Sequence, residues 1–238
     1  MRIEDATHST RRFWIQVPEL ERFDFLPGQF VTFDLPIHEQ RNKRWRSYSI
    51  ASAPDGSNIF ELVIVLMEDG LGTPHLFNEV SVGSELIMRG PQGKFTLPEQ
   101  LEKDIYFICT GTGIAPFRSM VHYIQANGLA HKDLHIVFGC RSFGDSLYEA
   151  ELKALQNDMP GFHFHPCFSR EMHVADGQFK GYVHARYEQL ISQKWEAEKG
   201  LPPAQFFLCG WKNMVDDAKA RLLGLGYDKK DIHLELYG

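Results

Sequence analysis

Residues 105–118 read IYFICTGTGIAPFR, and this stretch decides the fold class. Residues 105–110 form a nearly continuous apolar run, which is typical of a strand buried on both faces of a parallel sheet. A glycine-rich turn follows, and Pro116 stands where the first turn of a helix accepts proline. Such a turn lets free N–H groups at a helix start approach a pyrophosphate, although Gly-x-Gly also occurs as a plain tight connection.

The pattern on either side of this stretch divides the chain in two. After residue 101 apolar runs alternate with amphipathic segments, which predicts a parallel five-stranded sheet with crossover helices. Its strands are expected at residues 105–110, 134–139, 162–169, 205–210 and 232–237, and its helices near 117–125, 148–157, 183–194 and 213–223. Before residue 98, short apolar stretches separated by Gly and Pro turns predict an antiparallel barrel or sandwich, with strands at residues 13–17, 29–35, 47–51, 60–67 and 85–89. We therefore expect domains at 1–98 and 99–238.

The amino-acid composition excludes several classes of protein. The 238 residues are 43% hydrophobic and 24% charged, which is ordinary for a globular protein, and the net charge of −6 argues against nucleic-acid binding. The longest apolar run, residues 62–67, is far shorter than the roughly 20 residues that span a bilayer. The N-terminus lacks the pattern of a signal peptide, so we expect a cytoplasmic protein that is not membrane-bound. The four cysteines are widely spaced and predict no metal or iron–sulfur site.

A second chemical segment, RSYSIAS, occupies residues 46–52. As a strand it would place Arg46 and Tyr48 on one face and Ser49 on the other. An arginine can pair with phosphate, a tyrosine ring can stack on a planar heterocycle, and a hydroxyl can bond a ring nitrogen. An ordinary half-exposed strand is the alternative for this segment taken alone.

Six segments occur in an order that resembles the plant-type ferredoxin–NADP reductase family. They are RSYSIAS (46–52), TGTGIAPFRS (110–119), FSRE (168–171), KGY (180–182), LCGWKNM (208–214) and ELY (235–237). The resemblance covers residues 13–238. It implies an antiparallel Greek-key FAD-binding barrel followed by a parallel α/β domain that binds NADP, which agrees with the two periodicities above.

The resemblance assigns flavin contacts to the first domain. Arg46 would bind the FAD pyrophosphate, Tyr48 would stack on the isoalloxazine, and Ser49 would lie near flavin N5. A second FAD-phosphate turn would consist of Gly70, Gly72 and Thr73, with His75 a weaker candidate. The match is looser there, because Pro74 removes one backbone donor.

Coenzyme contacts are implied in the second domain. The NADP pyrophosphate would be held by Gly111, Thr112, Gly113 and Pro116. The adenosine 2′-phosphate, which NAD lacks, would be recognised by Ser169, Arg170, Lys180 and Tyr182.

The resemblance also implies a reaction centre. Cys209 would lie near nicotinamide C4, Glu235 close to Ser49 and Cys209, and Tyr237 against the flavin face that the nicotinamide must occupy. Gly238 follows Tyr237, whereas plant-type members end at that aromatic residue, which displaces the terminal carboxylate by one position and affects how Tyr237 stacks.

The implied activity is an FAD-dependent oxidoreductase that moves electrons between NADP(H) and a one-electron carrier, by hydride transfer between nicotinamide C4 and flavin N5. The expected partner is a small acidic redox protein, ferredoxin or flavodoxin, attracted by Arg41, Lys43 and Arg44. The oligomeric state stays open, with a monomer among the candidates. The alternatives are a reductase of free flavin, a haem protein or a quinone, an electron-transfer subunit of a larger complex, and a non-catalytic FAD or nucleotide sensor. The acceptor and the physiological direction stay open.

Overall fold

The computed structural model describes residues 2–237 and divides the chain into two compact units. The first unit comprises the chain up to Leu97 together with Ala115–Asn127. The second comprises Pro98–Ile114 and the chain from Gly128 onward. The helix that follows the glycine-rich turn therefore packs with the N-terminal unit. The domain boundaries predicted from the sequence, 1–98 and 99–238, remain a proposal.

The first unit is built from antiparallel strands. These are β1 (Arg2–Thr7), β2 (Thr10–Gln16), β3 (Phe30–Asp34), β4 (Trp45–Ser49), β5 (Ile59–Val65) and β6 (Ile87–Gln92). They form two sheets of order β1-β2-β5 and β4-β3-β6, and an antiparallel bridge between Ile50 and Leu62 joins them. In the resulting order β6-β3-β4-β5, the strands β3, β4 and β5 are consecutive neighbours, and β6 returns to lie beside β3. This is the Greek-key pattern. The predicted Greek-key FAD-binding fold class is confirmed.

Two elements of this unit were not expected from the sequence. Strand β1 reads RIEDAT and none of its residues is buried, so it lacks the apolar alternation that marks a half-buried strand. The helix α1 (Gly72–Asn78) has seven residues, which is too short for a helical periodicity to show. The longer helix α2 (Ala115–Ala126) completes the unit.

The second unit contains one parallel sheet of order β10-β9-β8-β7-β11-β12. Its strands are β7 (Asp104–Thr110), β8 (Leu134–Cys140), β9 (Phe162–Phe168), β10 (Phe179–Lys180), β11 (Ala204–Trp211) and β12 (Ile232–Tyr237). Its helices are α3 (Glu149–Asp158), α4 (Val183–Glu198) and α5 (Lys212–Gly224). The five predicted strands are present, and the additional β10 has only two residues, too few to leave a sequence pattern.

The strand order identifies where this sheet can bind a ligand. From β7 the order runs outward through β8, β9 and β10 on one side, and through β11 and β12 on the other. Open parallel sheets bind ligands at the carboxyl ends of their strands, at the point where the order reverses. The turn after β7 lies at that point. Within residues 2–237, no helix combines the length and apolarity needed to cross a membrane.

Candidate functional site

Strand β4 carries the three predicted flavin residues. Arg46 is half-buried and its Nη1 donates hydrogen bonds to the carbonyl oxygens of Lys43 at 3.0 Å and Trp45 at 2.8 Å. Tyr48 packs against the Phe33 ring, with centroids 6.0 Å apart, and burial raises the pKa of its phenol to about 12. Ser49 is 5% exposed. The neutral Tyr48 ring and the charged Arg46 thus occur on one strand. A ligand that combines an aromatic ring with a phosphate group requires both kinds of side chain.

Gly72 brings the second predicted flavin turn against Arg46. A Cβ at this buried position, the first of α1, would lie 2.8 Å from Arg46 Cγ and 3.0 Å from Arg46 Nε. Glycine therefore leaves room for the arginine stem beside the helix start. The structure brings Arg46 and the 70–73 turn together, although they are separated in sequence.

The other residues of this turn hold its shape. Thr73 Oγ1 accepts a hydrogen bond from the Met67 N–H at 2.8 Å, and the Gly70 N–H donates to the Met67 carbonyl at 2.9 Å. His75 Nδ1 lies 3.3 Å from a carboxylate oxygen of Glu79. The Thr73 hydroxyl thus closes the loop that presents Gly72, a role that the sequence did not indicate.

In the second unit, the turn after β7 is a tight 3-10 segment, Gly111–Ile114. Gly111 has a φ of +54°, which favours glycine. A Cβ on Gly113 would lie 2.5 Å from the Cys209 carbonyl oxygen and 2.8 Å from its carbon, and these backbone atoms cannot turn aside. Thr112 is half-buried between the glycines, and Pro116 is buried in the first turn of α2.

The end of β11 completes this cradle from the opposite side. Gly210 has a φ of +145°, and a Cβ there would lie 2.7 Å from Thr110 Oγ1. Among the described residues, that buried hydroxyl oxygen has no hydrogen-bond partner. Two glycine-lined backbones with an unused hydroxyl between them fit a bound phosphate group, because close approach and hydrogen-bond donors are what such a group needs.

The predicted reaction-centre residues of this unit lie on neighbouring strand ends. Cys209 pairs in register with Glu235, and Trp211 pairs with Tyr237. Complete burial raises the pKa of the Cys209 thiol well above its ordinary value, the Glu235 charge raises it further, and a hydrogen bond with Tyr237 opposes the shift. The thiol is therefore protonated at neutral pH and is not a thiolate nucleophile. Gly238 lies outside the described residues.

The four predicted 2′-phosphate residues gather at the β9–β10 corner of the same sheet. The Ser169 N–H donates to the Cys140 carbonyl at 3.1 Å, and Lys180 pairs in register with Phe168. Arg170 and Lys180 are exposed, and Tyr182 is 70% exposed. The Lys180 ammonium donates to the Met172 carbonyl at 3.2 Å. Two cations and two hydroxyls at one surface corner suit a dianion.

Sequence reasoning missed a third cation at this corner, Arg141. It follows β8 directly, and its carbonyl accepts the Arg170 N–H at 2.8 Å. The side chain is exposed, with Nε 3.5 Å from an Asp145 carboxylate oxygen. Its position just past the end of a buried strand, like that of Arg170, was the available signal.

Two family profiles match this chain. The profile described as "Oxidoreductase FAD-binding domain" matches residues 1–97, and "Oxidoreductase NAD-binding domain" matches residues 107–220. Ferredoxin--NADP reductase B of Sorangium cellulosum is 36% identical over 217 residues, covering 90% of this chain and 86% of that protein. The chain belongs to the ferredoxin–NADP reductase family.

Other members of the family differ in length. The anthranilate 1,2-dioxygenase electron transfer component of Acinetobacter baylyi is 29% identical over 85% of this chain, and the match spans only 55% of that protein. A solved ferredoxin NADP⁺ reductase from Neisseria gonorrhoeae with bound FAD and NADP has a TM-score of 0.79 and 26% identity, covering 98% of this chain and 95% of that one.

As a member of the ferredoxin–NADP reductase family, the chain is an oxidoreductase with an FAD-binding and a nicotinamide-nucleotide-binding domain. The resemblance deduced from the sequence segments is confirmed. The residues present fit these two groups: Arg46 beside Gly72 is a cation that can bind the phosphates of FAD, and the unpartnered Thr110 hydroxyl beside Gly210 can bind a phosphate of the nicotinamide nucleotide.

Proposed function

We propose that this protein exchanges electrons between NADP(H) and a small one-electron carrier, ferredoxin or flavodoxin, through one bound FAD. The observation that carries the proposal is the carboxyl edge of the parallel sheet. The glycine cradle at Gly113, packed against the Cys209 backbone, and a cationic corner at Arg170 and Lys180 occur on that edge. A cradle alone suits NAD or NADP, whereas the cations favour the coenzyme that carries an additional phosphate.

On the flavin side, Arg46 would hold the pyrophosphate by charge-assisted hydrogen bonds. Tyr48, neutral at physiological pH, would cover the ring system, and the Ser49 hydroxyl would serve the N5 edge. The second phosphate turn is formed by Gly70, Gly72 and Thr73, with Thr73 closing the loop as described.

On the coenzyme side, the turn Gly111–Ile114 would present backbone N–H groups to the pyrophosphate, followed by Pro116 at the helix start. The Thr112 side chain and the unpartnered Thr110 hydroxyl are further donors at this turn. The 2′-phosphate would be held by Ser169, Arg170, Lys180 and Tyr182, and Arg141 adds a charge beside them.

When bound, the two cofactors supply hydride exchange between nicotinamide C4 and flavin N5 and the release of single electrons. The side chains of the protein would determine the surroundings of the two reacting atoms. Cys209 keeps its proton and offers a small neutral surface, and Glu235 places a carboxylate beside it. Tyr237 would cover the flavin ring in the absence of the nicotinamide.

The partner surface we propose is cationic and aromatic. The Trp45 ring has the Arg89 guanidinium 3.9 Å and the Arg41 guanidinium 6.0 Å from its centroid. Lys43 is exposed nearby. Both Arg41 and Arg44 pair with the Asp34 carboxylate, Arg41 Nε at 3.6 Å and Arg44 Nε at 2.7 Å, but the Arg41 side chain is exposed whereas that of Arg44 is half-buried. Of the three cations expected to attract an acidic partner, we assign that role to Arg41 and Lys43, and we add Arg89.

The experiment that tests the proposal is steady-state NADPH oxidation by the FAD-loaded protein with a panel of acceptors: ferredoxins, flavodoxins, free flavins and cytochrome c. We expect ferredoxin or flavodoxin to be reduced with the highest kcat/KM, with NADPH strongly preferred over NADH. Equal efficiencies for the two coenzymes would remove the 2′-phosphate assignment. If free flavin were the preferred acceptor, the protein would be assigned as a flavin reductase and the ferredoxin or flavodoxin partner would be withdrawn.

A second candidate is the reductase component of an oxygenase system. It is favoured by similarity to proteins such as the anthranilate 1,2-dioxygenase electron transfer component, of which this chain covers little more than half. Adding an oxygenase with and without an intermediate ferredoxin to the same panel distinguishes the two functions. Direct reduction of the oxygenase without ferredoxin would support the second candidate.

A further inference from the structure

A buried carboxylate in the first unit holds two guanidinium groups. Glu61, on β5, is 2% exposed. Arg12, on β2, donates to it from Nε at 2.6 Å and from Nη2 at 3.0 Å. Arg118, on α2, donates to the same carboxylate from Nη1 at 3.2 Å. One acid thus connects the barrel sheet to α2.

The same region of α2 is also bonded to the backbone that follows β4. Arg118 Nη1 donates to the Ala51 carbonyl at 2.8 Å, and Ser119 Oγ donates to the Ser52 carbonyl at 2.7 Å. The Ala51 N–H in turn donates to the Glu61 carbonyl at 2.8 Å. The start of α2 is therefore fixed to a segment that begins two residues after Ser49.

Apolar contacts hold α2 in the same place. The Phe117 and Phe95 rings have centroids 5.9 Å apart. Met120 Cε lies so close to Gly28 that a Cβ there would be 2.5 Å from it. Because these apolar contacts do not involve the Arg118 guanidinium, we expect a variant that loses its hydrogen bonds to Ala51 and Glu61 to keep α2 packed on the barrel, so that it tests position more than folding.

We propose that Arg118 and Glu61 are positioning residues for the coenzyme turn, an inference that rests on the proposed function of that turn. Helix α2 begins at Ala115, directly after Ile114, the last residue of the turn. Whatever fixes the first turns of α2 limits the orientation of the preceding N–H groups. Arg118, in the first turn of α2, thereby helps to set the orientation of the turn that directly precedes it in the chain.

Arg12 provides the matched control. It shares the Glu61 carboxylate with Arg118 but belongs to β2, so removing it leaves the bonds from α2 to Ala51 and Ser52 in place. Both Arg12→Met and Arg118→Met take one guanidinium from the same buried acid. A purely structural role predicts similar consequences for the two variants, whereas a positioning role predicts different ones.

The first measurement is amide hydrogen exchange of residues 111–119, which needs no activity. We expect faster exchange in Arg118→Met and wild-type exchange in Arg12→Met. The second is a comparison of kinetic constants. Arg118→Met should raise the KM for NADPH by about tenfold or more, because small misplacements of binding groups are costly, while FAD content and the KM for the acceptor stay unchanged. Arg118→Lys, which keeps the charge, should restore part of the loss and serves if Arg118→Met does not fold.

Equal exchange in residues 111–119 of the Arg118→Met and Arg12→Met proteins would overturn the inference. So would an equal rise in NADPH KM in both. If the wild type does not oxidise NADPH at all, the proposed function fails. The exchange measurement then still decides whether Arg118 positions the turn.

Discussion

The two glycine-lined cradles differ in what surrounds the missing side chain. At Gly72 the nearest atoms belong to the flexible side chain of Arg46, whereas at Gly113 they belong to the backbone of Cys209. A long side chain can move aside at small cost, but a backbone held in a parallel sheet cannot. The turn at Gly72, the proposed flavin cradle, is therefore adaptable, and the turn at Gly113, the proposed coenzyme cradle, is rigid.

This difference indicates which groups would determine ligand specificity in each unit. Under the proposed function, the charge that recognises phosphate in the barrel is on a side chain, so FAD affinity would depend on the position of Arg46. In the sheet, the turn would recognise phosphate through backbone N–H groups, and charged side chains such as Arg170 would select which nucleotide binds. Substitutions in the two cradles should consequently have different signatures.

The largest effect is expected for Gly113→Ala. Its Cβ would overlap the Cys209 carbonyl, and forced overpacking costs about 1–3 kcal/mol. We expect a lower Tm and loss of measurable coenzyme binding, seen by thermal unfolding and NADP titration. Gly111→Ala is the control, because nothing lies within 4 Å of a Cβ at that position and only its positive φ is disfavoured. An equal loss in both variants would contradict a steric basis for the rigid cradle.

Arg46→Ala should weaken FAD binding by about 1.5–3 kcal/mol, the usual worth of a hydrogen bond to a charged group. The purified variant should be pale and should regain colour at high FAD concentration, which equilibrium titration of flavin fluorescence measures. Lys43→Ala, an exposed cation close by, should retain wild-type FAD affinity. Full FAD occupancy in Arg46→Ala would remove this residue from the cradle.

Arg170→Ala tests the charge selection in the sheet unit. The KM for NADPH should rise about tenfold, since one charge-assisted hydrogen bond to the 2′-phosphate is lost, and the KM for NADH should hardly change. Lys212→Ala removes an exposed cation whose partner is Asp216 and should leave both constants unchanged. A parallel rise for both coenzymes would place Arg170 outside the selective corner.

Gly72→Ala sharpens the comparison from the barrel side. The three atoms nearest to its Cβ all belong to the flexible stem of Arg46, so we expect unchanged Tm and a few-fold weaker FAD binding. Thermal unfolding of the apoprotein and FAD titration measure the two quantities separately. A fall in Tm as large as that of Gly113→Ala would show that the flavin cradle is rigid as well.

The smallest expected effect, and the most specific, is that of Tyr237→Ser. If the ring must be displaced by the nicotinamide, its removal should tighten NADP binding and let NADH compete, because less binding energy is spent on displacement. Titration with NADP, followed through the flavin absorbance, should show the higher affinity and a new long-wavelength band. An unchanged titration would indicate a terminal residue without contact to the flavin.

Much of the architecture follows from local patterns. Buried apolar runs of strand length, a glycine turn and a helix-starting proline predicted the parallel sheet and the position of the coenzyme turn. The predicted reaction-centre residues of the sheet unit also come together, because Cys209 and Glu235 end adjacent parallel strands. Strands β1 and β10 were missed, since a polar edge strand and a two-residue strand leave no periodic signal.

The sequence by itself determined the fold class, the family and the order of the turns proposed to bind phosphate, because each is encoded by residues close together in the chain. Only the tertiary structure decided that α2 packs with the barrel, that Gly113 faces the Cys209 backbone, and that Arg141 joins the cationic corner. The strongest case is Glu61. In the sequence it is one polar position in an apolar strand, and its guanidinium partners lie 49 and 57 residues away. Burial removes water from the carboxylate, so its charge must be matched by cations that the fold brings from elsewhere.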